Sequence, residues 1–208
     1  MKGYLKYALV IFLIASSSGV YAQIRSSYTG GLNISTMKLK ADGLNTSPGT
    51  PLGIHFGYAF EIPVIRGFTF QPGVIFSAKG THYRLDSTDH SISPIYIEVP
   101  ANAVLTIGGD KIKISLLAGP YIAFGVGGTI WESGQSVKDL KFGKGSGKDL
   151  GFIDVGLNFG IGVCINKFMV TFQYGMGLTD VSADNSGVSE MKNQVIGISF
   201  GTAFVTGK

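Results

Sequence analysis

Cysteine is almost missing from this chain: Cys164 is the only one, which excludes an intramolecular disulfide and a cysteine-based zinc site. Charge is scarce as well. Charged residues occupy 14% of the 208 positions, well under the roughly 25% of soluble domains, so water is not the main solvent of this surface. The charges that remain nearly cancel, at a formal +4, which speaks against a nucleic-acid partner. What abounds instead is glycine, with 31 residues. It follows no collagen-like period, and 12% aromatic content argues against a disordered chain, so the glycines belong to packed structure.

The dominant pattern is alternation. From Phe152 to Thr179, Ile153, Val155, Leu157, Phe159, Ile161, Val163 and Ile165 alternate with Asp154, Gly156, Asn158, Gly160, Gly162 and Cys164. After Asn166-Lys167, Phe168, Val170, Phe172, Tyr174, Met176 and Leu178 alternate with Met169, Thr171, Gln173, Gly175 and Gly177. Period two predicts an antiparallel hairpin. One face is bulky and apolar; the other is small and polar, with Asp154 its only charge. A soluble sheet would load its polar face with Lys and Glu, whereas this arrangement suits lipid outside and a crowded interior within. Each strand exceeds the roughly 9–11 residues that a tilted strand needs to cross a bilayer.

The same grammar runs through the chain, with strands predicted near Tyr28–Ser35, Leu52–Ile62, Phe68–Lys79, Ile95–Ile107, Ile112–Phe124 and Ile196–Phe204. Pro72 lacks an N–H, which predicts a bulge or local break. The stretch Ile114 to Trp131 carries no charge over a length that would span as a helix. Pro120, four neighbouring glycines and the alternation before them favour strand. Short turns at Pro63–Gly67, Gly108–Asp110 and Asn166-Lys167 alternate with long polar loops at Gly80–Ser91, Gly125–Leu150 and Asp180–Lys192. The fold class predicted is all-β: a closed, antiparallel, eight-stranded transmembrane up-and-down β-barrel, with turns in the periplasm and loops outside.

Ahead of the barrel, Lys2 and Lys6 precede an apolar run from Tyr7 to Ala15 and the small-residue site Val20-Tyr21-Ala22. This predicts a cleaved signal peptide over residues 1–22 and a barrel domain over 23–208. Without Lys2 and Lys6, 15 basic residues face 13 acidic ones, a net +2.

Alternation also assigns the two faces. Inside, His55, Glu61, Gln71, Lys79, Tyr96, Glu98, Asn102, Asp154, Asn158 and Gln173 form a polar filling. A charge in a narrow barrel needs a partner, and Lys79 with Glu98 on the neighbouring strand is the expected pair. Phe56, Tyr58, Phe60, Phe70, Phe159, Phe172, Tyr174, Phe200 and Phe204 face lipid.

Several segments together resemble a known family. They are Gly30-Gly31-Leu32-Asn33-Ile34-Ser35, Tyr96-Ile97-Glu98-Val99-Pro100, Ala118-Gly119-Pro120-Tyr121 and Tyr174-Gly175-Met176-Gly177-Leu178-Thr179-Asp180. In this order they resemble the PorT-type outer-membrane β-barrel domain, often described as porin-like or OmpA-like. The resemblance implies an eight-stranded outer-membrane barrel of Gram-negative bacteria, without an assigned activity in most members and with a link to protein secretion in the namesake. The chain departs from many such barrels by running past Phe204 to Val205-Thr206-Gly207-Lys208 instead of ending on an aromatic residue.

Candidate sites are few. Lys144-Gly145-Ser146-Gly147-Lys148 fails the phosphate-loop spacing, because Phe142 and Asp149 stand where Gly and Ser/Thr belong. Lys138, Lys141, Lys144 and Lys148 present cations suited to anionic lipopolysaccharide head groups, with a solvated loop as the plainer reading. His82, Arg84, Asp86, Ser87, Asp89 and His90 gather metal ligands and a hydrolase set of Ser87 with His82 or His90, but no motif supports either. No catalytic, metal or cofactor site is therefore assigned. The expected partners are outer-membrane lipid, lipopolysaccharide and proteins reached through the loops or turns. The function expected is a structural, binding or secretion-accessory barrel without an open pore. A narrow porin-like channel, an outer-membrane lipid-modifying enzyme and a secreted lipocalin-like carrier are the alternatives.

Overall fold

The computed structural model describes residues 24–40, 51–85, 88–109, 111–133, 135–145, 147–183 and 190–205. The expected signal peptide lies outside the described residues. Among the described residues ten strands form: β1 (Arg25–Lys40), β2 (Leu52–Ile65), β3 (Phe68–Ala78), β4 (Thr81–Leu85), β5 (Thr88–Gly108), β6 (Ile112–Glu132), β7 (Gln135–Asp139), β8 (Ile153–Ile165), β9 (Phe168–Gly177) and β10 (Glu190–Val205). Eight of them close a wall in the order β1, β2, β3, β5, β6, β8, β9, β10, with β10 returning to β1. Every pairing between strands is antiparallel. Closure matters here because an open edge in hydrocarbon would leave backbone N–H and C=O groups without partners.

Two loops differ from expectation. The segments 80–91 and 125–150 hold strands: β4 pairs with the start of β5 and β7 with the end of β6, while β5 and β6 run 21 residues each. Likewise β1 reaches Lys40 and β10 begins at Glu190, both beyond the expected limits. Beyond the lipid the outer face of a strand meets water while Met37, Ile92 and Met191 on the inner face are buried, so the apolar-outside alternation fades although the ladder continues. Ile114 to Trp131 lies within β6, and no helix among the described residues is long and apolar enough to cross a membrane.

Turn chemistry follows the backbone. Gly67 and Asn166 take positive φ, 81° and 59°, as tight hairpins require. The first turn is shorter than expected: β2 continues through a register shift between Pro63 and Ile65, leaving only Arg66-Gly67. At Pro72 the ladder breaks without a shift, pairing with β5 stopping at Pro72↔Ala101 and resuming at Ile75↔Glu98.

The wall sorts its side chains as alternation demands. Phe56, Phe60, Phe70, Phe159, Phe172, Tyr174 and Phe200 are exposed on the outer surface. Tyr58 is half-buried there between the rings of Tyr28 and Phe60, both 5.0 Å away. The side chain of Phe204 lies outside the described residues. So continuous an apolar surface has no place in water and forms the lipid-facing band.

Candidate functional site in the barrel lumen

The lumen is built in three layers. At the loop end Met37, Ile92, Leu140, Leu150, Val181 and Met191 are buried against one another, with Ile130 and Phe142 packed beside them. The loops that deliver this cap are tied together. Gly151 N–H donates to Val181 O (2.9 Å), Val181 N–H to Met191 O (2.8 Å), and Leu150 bridges to Ser182. The Asp180 Oδ1 accepts from the amides of Ser182 (2.9 Å) and Met191 (2.8 Å). Burial alone would raise the Asp180 carboxyl, but those donors outweigh it and hold the group below the usual carboxylate range. Phe142 reaches inward over Gly125, where any Cβ would stand 2.1 Å from its ring, and meets Tyr96 edge-on at 5.7 Å.

Beneath the cap lies an ion cluster. The ammonium of Lys79 sits 3.1 Å from Glu98 Oε2 and 3.5 Å from Asp154 Oδ2, with all three side chains buried. The rings of Tyr96 and Tyr121 flank it at 5.0 and 4.9 Å, so the cation is held by two carboxylates and two π faces. The remaining lone pairs are met by amides and hydroxyls. Asn158 Nδ2 donates to Glu98 Oε1 (3.2 Å), while Tyr121 OH (3.2 Å) and Asn193 Nδ2 (2.9 Å) donate to Asp154 Oδ2. Thr179 Oγ1 donates to Asp154 Oδ1 (3.3 Å). Only a cluster this well satisfied offsets the cost of taking three charges out of water.

Below the cluster the lumen opens into a cavity of about 90 Å³ that reaches Ser27, Thr29 and Met169 near the turn end. One hydrogen-bonded chain crosses its wall. His55 Nδ1 lies 2.7 Å from Asn33 Oδ1, and His55 Nε2 lies 2.8 Å from Ser199 Oγ. Asn33 Nδ2 donates in turn to Ser77 Oγ (2.9 Å) and Ala78 O (3.5 Å).

The structure thus turns His55, Gln71, Lys79, Tyr96, Glu98, Asn102, Asp154, Asn158 and Gln173 into the lumen and joins Lys79 to Glu98. Sequence reasoning missed that Asp154 shares the same lysine, and it missed Asn33, Ser77, Asn193 and Ser199 altogether. Of their contacts only that of Ser199 with His55 crosses the seam where β10 closes against β1; Asn33–Ser77 and Asn193–Asp154 each reach across one intervening strand.

The outer rim gathers less than its composition offered. His82 faces Ser91 across β4 and β5 (2.8 Å, Nδ1 to Oγ), whereas His90 pairs with Tyr83 on the opposite face, so alternation divides the two histidines. Asp86 and Ser87 lie outside the described residues, and no metal-holding group of three or more His, Cys, Asp or Glu occurs among the described ones. In the third outer loop Lys138 Nζ meets Asp149 Oδ1 at 2.6 Å and Lys141 N–H meets Asp149 Oδ2 at 2.9 Å. Burial would raise this carboxyl too, yet Lys138 and Lys141 keep it below its ordinary value. Lys141, Lys144 and Lys148 remain exposed.

The family described as "Outer membrane protein beta-barrel domain" matches residues 16–183, most of the chain. The chain belongs to that family. It is an outer-membrane protein. An apolar outside around a polar inside also disposes of the secreted lipocalin-like carrier. Comparison with curated protein sequences finds no match. Among solved structures the chain is similar to the attachment invasion locus protein Ail of Yersinia pestis, crystallised with the heparin analogue sucrose octasulfate (18% identity, 88% of this chain and 99% of that one, TM-score 0.45). It is also similar to Neisserial surface protein A (12%, 87% and 97%, 0.42) and to the outer-membrane enzyme PagL (11%, 86% and 98%, 0.44). At these identities the likeness concerns the fold, and no activity is carried over.

Proposed function

We propose that the protein is a sealed barrel that acts through its outer surface, as a structural, binding or secretion-accessory component of the outer membrane. The observation that carries this reading is the double closure of the lumen, an apolar cap over the Lys79–Glu98–Asp154 cluster. An eight-stranded wall encloses only about as much space as side chains can fill, whereas aqueous porins use about 16–18 strands. The secretion-accessory role draws on the PorT-type resemblance of Gly30–Ser35 and Tyr174–Asp180. The exposed Lys141, Lys144 and Lys148 favour anionic lipopolysaccharide head groups as the loop's partner. The outer rim is read as a binding surface and not as an enzyme, since no sequence motif supports Ser87 with His82 or His90. Residues 1–22 act as the export signal, and an intact mass beginning at Gln23 would bear that out.

Planar-bilayer recording of the purified protein tests the sealed lumen. At most small, intermittent currents are expected. Large, stable openings would overturn the reading in favour of the narrow porin-like channel.

A further inference from the structure

His55 of β2, Gly31 of β1 and Ser199 of β10 stand in one row across three strands, since His55 pairs with Gly31 and Gly31 with Ser199. The glycine is what lets the imidazole cross. A Cβ on Gly31 would lie 2.8 Å from His55 Cε1 and 2.0 Å from Ile198 O, so no other residue leaves the path open. At the far end Ser199 is only half-buried and lines the cavity.

The hydrogen bonds fix the direction of the proton. Ala78 O can only accept, so the end of the Asn33 carboxamide facing it is the nitrogen, and the oxygen faces His55. An amide oxygen cannot donate; Nδ1 of neutral His55 therefore carries the hydrogen. That leaves the lone pair on Nε2, 2.8 Å from Ser199 Oγ, and the serine hydroxyl donates to it. A nucleophile hydrogen-bonded to a base that a third group orients is the arrangement required for covalent acyl transfer.

We propose that Ser199 is a nucleophile and His55 its general base, with Asn33 as the positioning residue, acting on short-chain acyl esters that enter from the periplasmic end. The cavity sets the substrate class. At about 90 Å³ it is smaller than the roughly 150 Å³ apolar cavity that holds benzene, which suits an acyl group of a few carbons and excludes a lipid chain. Its wall is mixed: Ile75, Leu117 and Val195 are apolar, whereas Thr171, opposite Ser199, and Gln173, opposite Gly197, bring a hydroxyl and a carboxamide beside the nucleophile. Asn102 Oδ1 lies buried with no hydrogen-bond partner among the described residues, on a residue lining the same cavity, so a donating occupant satisfies it.

The chemistry balances with water alone. Ser199 Oγ bonds to the carbonyl carbon as its proton passes to His55 Nε2; the ester C–O bond then breaks and the leaving alcohol takes that proton. Water, deprotonated by His55, next attacks the acyl-serine, releasing a carboxylic acid and restoring the Ser199 hydroxyl. This site lies below the seal and does not depend on the lumen being closed above it.

The test uses the full mature barrel folded in detergent, with heat-modifiable gel migration as the check on folding. A fluorophosphonate probe should label the wild type at Ser199, as read by peptide mass. Ser199→Ala, which removes one oxygen, should abolish labelling. His55→Gln should slow it by about 100-fold or more. Asn33→Ala should slow it while Asn33→Asp, which also accepts from Nδ1, restores it; a purely structural Asn33 would change folding and not this pair. Methyl acetate should turn over, read as acid release at constant pH, and methyl decanoate should not. A folded wild type that takes up no probe, label on another residue, or acetate turnover unchanged in Ser199→Ala would each overturn the assignment.

Discussion

Lys79 lies 3.5 Å from Asp154, a residue 75 positions away in the sequence, while also holding Glu98 at 3.1 Å. One ammonium thus joins carboxylates from two strands of the wall, β5 and β8, that are separated by β6. Removing it leaves two buried carboxylates facing each other. Lys79→Met should therefore cost about 3–5 kcal/mol of stability, as breaking a buried ion pair does. The triple variant Lys79→Met, Glu98→Gln, Asp154→Asn should recover much of the loss. Urea titration of the folded barrel in detergent measures both, and a Lys79→Met loss below about 1 kcal/mol would show that the cluster is solvated instead.

The two faces of the wall should differ in their tolerance of charge. Phe159 is exposed on the lipid side, and Phe159→Lys should cost about 2–4 kcal/mol if the site lies near the midplane. Gln173, which lines the cavity, should accept Lys at a smaller cost. Equal losses at the two positions in a vesicle refolding titration would reject the assignment of faces.

The cap should loosen in acid. Asp180 and Asp149 both titrate below the usual carboxylate range in the folded protein. A carboxyl depressed by folding stabilises the folded state above its unfolded pKa of about 4, and that contribution fades as pH falls through the lower folded value. Hydrogen exchange at the Ser182 and Met191 amides should therefore accelerate, relative to strand amides, as pH drops from about 5 toward 2. Asp180→Asn should flatten that dependence; protection unchanged across the range would rule the mechanism out.

Gly125 should be intolerant of any side chain. Gly125→Val places carbon where the Phe142 ring now lies, and the ring must leave its contact with Tyr96. Strand content by circular dichroism should stay the same, because Gly125 does not take a positive φ. Proteolysis within residues 140–151 should become faster. A loop cut no faster than in the wild type would mean that Phe142 does not anchor the cap.

Much of this molecule is written in local order. Period-two alternation suffices to tell Phe159 from Asn158, because adjacent side chains on a strand point to opposite faces whatever the strand's neighbours. The pair Lys79–Glu98 was legible for the same reason, since Lys79 continues the small-face alternation one residue past β3 and Glu98 lies on the small face of β5, with which β3 pairs. The tops of β5 and β6 were not, because above the lipid the outer face need not be apolar and the inner face, at Ile92 and Ile130, turns apolar against the cap, so the alternation loses its sense while the hydrogen-bond ladder persists.

What the sequence determined by itself was therefore the class of the fold, the sidedness of each strand and the scarcity of charge that calls for lipid. Tertiary structure alone decided which inward residues meet. Asp154 reaches Lys79, and His55 reaches Ser199 across Gly31, only because β10 closes on β1 and the wall curves far strands toward one axis. Register and curvature are properties of the closed ring. No single strand carries them, and so no reading of one strand at a time could have brought those atoms within 4 Å.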